Sequence, residues 1–243
     1  LNAIDIKPKN ANIHSSITRF LRDSDLSQLN RSKLKNILNI LLKNNNVNHN
    51  ELFKAFNFLY SNEIISVLEK LDSDFSKIKL ISKDEIIINA LKKIVFCNVK
   101  LEELLTRVRR NICDHIAKNK ETMNYSELQF VIALGEQCFL NEYVYSLKEE
   151  ESSSLNIIIN RCKDSELNET NISILSCYFP LYKLLDQIPS LKSFNSPNQS
   201  FKKLIELQIK EPLKEIKLSQ KIKQLGSIND DVSQKVKSQY EEN

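Results

Sequence analysis

At 243 residues, with 41% hydrophobic and 27% charged side chains, the chain is long enough to bury one or two substantial cores. Two glycines and five prolines leave few places for positive φ or a tight hairpin, which disfavours strands joined by sharp turns. A formal charge of +4 is far below that of a dedicated nucleic-acid-binding domain, and no run approaches the roughly 18 to 20 apolar residues that span a bilayer, so neither nucleic acid nor membrane is expected as a partner.

The chain opens at Leu1, not Met, inside what reads as a helix, which suggests a fragment or a trimmed chain, with processing as the alternative. Leu1 to Pro8 reads as the last turns of that helix, ended by proline, and Asn10 opens the next. The spacing from Ala3 to Pro8 is the one that ends a tetratricopeptide repeat, although from these residues alone any helix stopped by a proline fits equally well. Apolar residues then recur at three and four: Leu34, Ile37, Leu38, Leu41 and Leu42, then Leu52, Phe53, Phe56 and Leu59, then Ile64, Val67, Leu68 and Leu71. This is the period of amphipathic helices, broken by polar turns at Asn44 to Asn46 and Asp72 to Asp74.

Ser82 and Glu85 have the Ser-x-x-Glu spacing of a capping box, which predicts a helix from there to about Phe96. The next covers about Leu101 to Ala117, with Arg107, Arg109 and Arg110 on its solvated side. Tyr125 to Leu147 is the most apolar stretch, and its apolar residues surround the helical wheel, so it belongs in the middle of the fold. A charged connector at 148–154 leads to helices over about 151–163 and 168–177. Pro180, Pro189 and Pro197 mark the longest irregular region, after which a helix resumes at Phe201, meets Pro212 as a new turn or a kink, and stops at Gly226. The pattern throughout is all-α, an array of amphipathic helices numbering about ten to twelve.

Little catalytic chemistry stands out. His14, His49 and His115 are far apart, no Cys-x-x-Cys or His-Glu-x-x-His spacing occurs, and neighbours such as Cys113 and His115 point different ways on a helix. Glu149, Glu150 and Glu151 read as a solvated charge run. Five widely spaced cysteines suit a reducing cytoplasm better than a secreted disulfide framework. With two isolated glycines no glycine-rich cofactor loop can be built. No catalytic, cofactor-binding or metal-binding residue is therefore expected in this chain. The most unusual polar group is in the apolar stretch, where Gln137 and Asn141 lie one turn apart and must either hydrogen-bond neighbouring helix ends or line a polar pocket; the structural role is favoured.

Several segments, in order, resemble bacterial proteins in which tetratricopeptide repeats precede a helical region and then a class I S-adenosylmethionine-dependent methyltransferase domain. The residues that carry the resemblance are Ala3 to Pro8, Phe20 to Asp25, Leu101 to Arg109, Glu136 to Val144, Gln208 to Glu215 and Ser233 to Asn243. The most specific are the run Gln137, Cys138, Phe139, Leu140, Asn141, Glu142, Tyr143 and the closing Gln239, Tyr240, Glu241, Glu242, Asn243, which in similar proteins continues as Pro-Tyr-Pro-Arg-Trp at the entrance to the catalytic domain. The resemblance implies residues 1–20 as a repeat end and the start of the next helix, 21–195 as a helical body, and 196–243 as helices leading toward a methyltransferase domain. It implies S-adenosylmethionine for the parent protein and none for this chain.

Asn229 or Asp230 can cap a last helix whose Val232, Val236 and Tyr240 recur every fourth residue, a narrow stripe that needs a surface to pack on. With Gln137, Asn141, Glu142 and Tyr143, the residues Val232, Val236, Tyr240, Glu241, Glu242 and Asn243 are the candidates for an interface or for positioning the domain. The expected function is a non-catalytic helical segment that links repeats to the methyltransferase domain and shapes substrate access. The alternative is a free-standing helical-repeat adaptor that binds another protein through a groove.

Overall fold

Asparagine side chains set where most helices begin. The computed structural model describes residues 10–69, 81–164, 167–221 and 231–241. In it the Asn10 carboxamide oxygen accepts from the N–H groups of Asn12 and Ile13 to open α1 (Ala11–Asp23), and Asn30 accepts from Lys33 to open α2 (Arg31–Leu42). Asn48 opens a 3-10 turn (His49–Leu52) that feeds α3 (Phe53–Leu68), and Asp84 caps α4 (Glu85–Lys93). Asn98 caps α5 (Val99–Asn119), and Asn124 caps α6 (Tyr125–Leu140) in a reciprocal box with Glu127. At α7 (Glu149–Lys163) the Glu151 carboxylate reaches back to the Lys148 N–H, and Asn168 caps α8 (Glu169–Ser176). Asn198 opens α9 (Gln199–Ile205). Each cap satisfies N–H groups that have no partner inside the helix, at about 1 kcal/mol apiece.

The Ser82–Glu85 spacing is not used as a cap. Asp84 accepts from the Ile86 N–H instead, and the helix ends at Lys93, where Ile94 is already extended, not near Phe96. The apolar stretch from Tyr125 likewise stops being helical at Leu140, seven residues before Leu147.

After α9 the chain widens into a π turn (Glu206–Lys210) and continues as α10 (Glu211–Ser219), so Pro212 stands at the start of a new helical segment. Proline has no N–H to offer the Gln208 carbonyl, and its ring would collide with that carbonyl in α geometry. The wider turn removes the collision, and the Glu211 N–H bonds to the Glu206 carbonyl instead. A last helix, α11, covers Asp231–Glu241. Taking α9, the π turn and α10 as one rod, the described residues contain ten helical rods and no strand, an all-α fold. Ala3 to Pro8, Asp72 to Asp74, Ile222, Gly226, Asn229, Asp230, Glu242 and Asn243 lie outside the described residues.

The middle of the fold is α6, which packs on α4, α8 and α9, while α5 packs on α3 and α7. Phe130, Val131, Leu134 and Cys138 of α6 are buried, as a helix apolar on every side requires. The irregular stretch after α8 is also packed, through Leu181, Leu184, Ile188 and Leu191. Phe201, Leu204, Ile205 and Ile209 join the same core, so the packing runs across residue 196 without a break.

The crossing of α6 and α8 is close enough to need a glycine. A Cβ on Gly135 would lie 2.1 Å from the Ser176 Oγ and 3.1 Å from its Cβ. Gly135→Ala should therefore destabilise the chain by about 1–3 kcal/mol, the usual cost of overpacking. Adding Ser176→Gly should restore part of it, and a double-mutant cycle by urea denaturation would read this as coupling between the two sites. Simple additivity would mean that the helices do not meet here.

Candidate functional site

Four of the residues singled out from the sequence form or adjoin the end of α6. Gln137 is fully buried, and neither its amide nitrogen nor its carbonyl oxygen has a hydrogen-bond partner among the described residues. Asn141 is the C-terminal cap, and its N–H donates to the Gln137 carbonyl. The Tyr143 N–H donates to the Cys138 carbonyl at 2.8 Å and the Glu142 N–H to the Phe139 carbonyl at 3.2 Å, the crossed pair of a Schellman ending. Glycine usually supplies the left-handed residue of that ending. Here Glu142 has φ of 56° and Tyr143 has φ of 59°, two consecutive side-chain-bearing residues in that region, at a cost of order 1 kcal/mol each.

Tertiary contacts hold this turn. The Tyr143 hydroxyl donates to the Ser176 carbonyl at 3.2 Å, and its ring meets Phe139 edge-on. Burial keeps its phenol far above its ordinary pKa, so the hydroxyl remains a donor. Beyond the turn, the Tyr145 and Ser146 carbonyls accept from one guanidinium, that of Arg109.

Arg109 does not lie on a solvated face. It is 3% exposed, donates also to the Cys177 carbonyl, stacks 4.2 Å from the Tyr178 ring centroid, and sits 3.7 Å from the Glu151 carboxylate. Glu151 in turn is fully buried instead of solvated, and accepts from the Tyr178 hydroxyl at 2.9 Å and the Lys148 N–H at 2.7 Å. The physical reason is that α5 has neighbours on two sides, α3 and α7, so a residue off its main apolar stripe still meets protein. Burial raises the Tyr178 phenol and pushes the Cys113 thiol up to about 12, which leaves both neutral around the pair. The Arg109–Glu151 pair thus fastens the connector 144–148 to α5, α7 and the end of α8.

The fastened connector forms one wall of an open cleft of about 710 Å³; α5 and the end of α3 form the rest. Val99 of α5 and Val144 of the connector both line it and are 70% and 66% exposed, apolar side chains that α3, α5 and the connector leave uncovered. Lys100, Arg107, Arg110 and Lys148 line the cleft with Glu69, Glu102 and Glu103. The Arg110 Nε and the Tyr145 hydroxyl are both shielded from solvent without a hydrogen-bond partner among the described residues. The Asn141 side chain influences the Tyr145 hydroxyl but lies outside hydrogen-bond geometry. A ligand that presents a carboxylate and a small apolar group would complement the cationic side chains and exposed valines of this cleft.

The remaining sequence candidates are elsewhere. Val232 and Val236 in α11 are 73% and 46% exposed, and the backbone of Tyr240 and Glu241 completes that helix. Among the described residues no group of three or more His, Cys, Asp or Glu side chains is placed to hold a metal ion, and no helix is long and apolar enough to cross a membrane. Gly135, the glycine within the described residues, is taken up by the helix crossing and makes no ligand loop. Sequence reasoning missed Arg109 and Glu151, whose only signal was their place within otherwise apolar helical periods. Comparison with family models, curated proteins and solved structures finds no match to this chain.

Arg109→Met would leave Glu151 buried without its counter-charge, a loss of about 3–5 kcal/mol. The same change should speed amide exchange at residues 144–148 more than in α8. Denaturation combined with hydrogen exchange would test it, and uniform acceleration everywhere would show that Arg109 does not anchor the connector.

Proposed function

We propose that this chain is a non-catalytic helical segment that positions a partner domain, and that the cleft between α3, α5 and the connector 144–148 receives an acidic, partly apolar segment of that domain. The observation that carries the reading is the pairing of the uncovered Val99 and Val144 with the unpartnered Arg110 Nε and Tyr145 hydroxyl in one cleft. A carboxylate would answer Arg110, and a small aliphatic side chain would bridge the valines. The resemblance points to a class I S-adenosylmethionine-dependent methyltransferase domain as that partner; the exposed Val232 and Val236 of α11 suit a connector that such a domain covers. In this reading no step of methyl transfer falls to the residues of this chain. Its compartment is the cytoplasm, which suits five free cysteines, four of them buried.

The reading frame beyond Asn243 tests the identity of the partner. A Pro-Tyr-Pro run followed by a strand and a glycine-rich turn supports the methyltransferase, and a stop codon removes it in favour of a free-standing adaptor. Hydrogen exchange tests the cleft: in the protein that carries the domain, residues 99–110 and 144–148 should be protected relative to this chain alone, and Arg110→Glu should abolish that difference. Equal exchange with and without the domain would reject the cleft as its seat.

A further inference from the structure

A second cleft, of about 560 Å³, opens on the other flank of α6, between α4 and α9. Its size lies within the range of small-molecule sites, about 300–1,000 Å³. Lys43, Lys83, Lys92, Lys93 and Lys203 line it against two carboxylates, Glu85 and Glu136, an excess of three positive charges. Two of the lysines are used locally. Lys43 pairs with Glu85 at 2.7 Å, and the Lys93 ammonium donates to the Leu42 carbonyl at 2.6 Å. Lys92 lies 3.6 Å from Glu136, with 15% of its side chain exposed. Lys93 and Lys203 line the same cleft as Lys92 and its recessed carboxylate partner.

One buried donor of this cleft lacks a hydrogen bond. Ser82 is 7% exposed, and its Oγ has no hydrogen-bond partner among the described residues, whereas the Glu136 Oε1, on a side chain 10% exposed, faces the Lys92 ammonium at 3.6 Å. Capping does not explain Ser82, because Asp84 caps α4. Burial first, and the neighbouring Lys203 second, hold the Lys93 amine below its ordinary range. A hydroxyl donor in one cleft with these ammonium groups matches an anion with several acceptor oxygens and more than one charge.

We propose that the cleft between α4, α6 and α9 is a binding site for a small phosphate-bearing molecule, held by Lys92, Lys203 and the Ser82 hydroxyl. A singly charged carboxylate would leave most of the excess charge unanswered, whereas a diphosphate neutralises it. The recess of Lys92 favours a free molecule over a bilayer headgroup, since a flat surface cannot reach it. Glu136 holds Lys92 in place in the empty cleft and opposes the ligand's charge once it enters.

The test is calorimetric titration of the full chain with inorganic diphosphate at low ionic strength, up to about 1 mM ligand. The expected result is saturable binding of one diphosphate per chain. Lys203→Ala, at an exposed position outside the core, should weaken it about tenfold, the effect of one charge-assisted hydrogen bond. Ser82→Ala should weaken it by about threefold, and Glu136→Gln should tighten it by a similar factor because an opposing charge is lost. Lys217→Ala on α10, away from the cleft, should change nothing, and thermal melts would confirm that each variant is folded. Absence of saturation overturns the proposal. So does equal weakening by Lys217→Ala, which would mean diffuse charge attraction, or weakening by Glu136→Gln in a variant that melts like the parent chain. Vesicles carrying phosphoinositide that bind through Lys203 while free diphosphate does not would overturn the choice of a free molecule.

Discussion

The side chain of Gln208 joins three segments that are far apart along the chain. Its amide nitrogen donates to the Gly135 carbonyl in α6 at 2.9 Å and to the Ser176 carbonyl at the end of α8 at 3.2 Å, and its oxygen accepts from the Leu181 N–H. The amide is completely buried, so each of these bonds replaces a desolvation cost of about 1–3 kcal/mol. It reaches both carbonyls because α6 and α8 approach to the distance that only Gly135 permits, and because the π turn forced by Pro212 presents Gln208 at that crossing. The glycine, the proline and the glutamine are one device. Remove the close approach and the amide loses an acceptor; remove the wide turn and it points elsewhere.

The surface of the molecule inherits its shape from this crossing. Ser176 ends α8 with carbonyls that need donors, and besides Gln208 the donor is the Tyr143 hydroxyl. That bond steadies the left-handed pair Glu142 and Tyr143, which sends the chain out of α6 toward Arg109. A buried ion pair contributes little net stability by itself, since desolvation offsets most of the attraction. Its consequence here is geometric: with Tyr145, Ser146 and Cys177 carbonyls all on one guanidinium, the connector has one position relative to α5. A cleft whose walls are set in this way would present Val99 and Val144 to the proposed partner without first having to order them, which would lower the entropic cost of binding.

Helical periodicity and composition made the class of fold and the central position of α6 legible, because a stretch apolar on all sides has nowhere to go but the middle. Most helix starts were written in asparagines, at 10, 30, 98, 124, 168 and 198, whose carboxamides cap as well as the serine spacing that drew attention at residue 82. The end of α6 was hidden for the opposite reason: Glu142 occupies a backbone position where glycine is the usual marker, and the cost is met by contacts distant in sequence. Arg109 and Glu151 were hidden because a charged residue in an amphipathic helix looks the same whether its side faces water or another helix. Of the residues singled out around α6, Asn141, Glu142 and Tyr143 do lead to the cleft, but through backbone geometry and the Tyr143 hydroxyl.

The two clefts differ in their cations. The one beside α5 holds two guanidinium groups, Arg107 and Arg110, along with the ammonium groups of Lys100 and Lys148; a guanidinium is planar and weakly hydrated, and would suit a fixed carboxylate. Toward α4 and α9 the groups are ammonium ions, compact charges on flexible stems, which can close around a tetrahedral anion from several directions. Neither cleft borrows a residue from the other: one is built from α3, α5 and the connector, the other from α4, α6, α9 and the turn before α4. What they share is α6, whose far end begins the strained turn of the first and whose Glu136 reaches into the second. A ligand that drew Lys92 away from Glu136 would act on the residue next to Gly135, at the crossing that also fixes Gln208 and Tyr143.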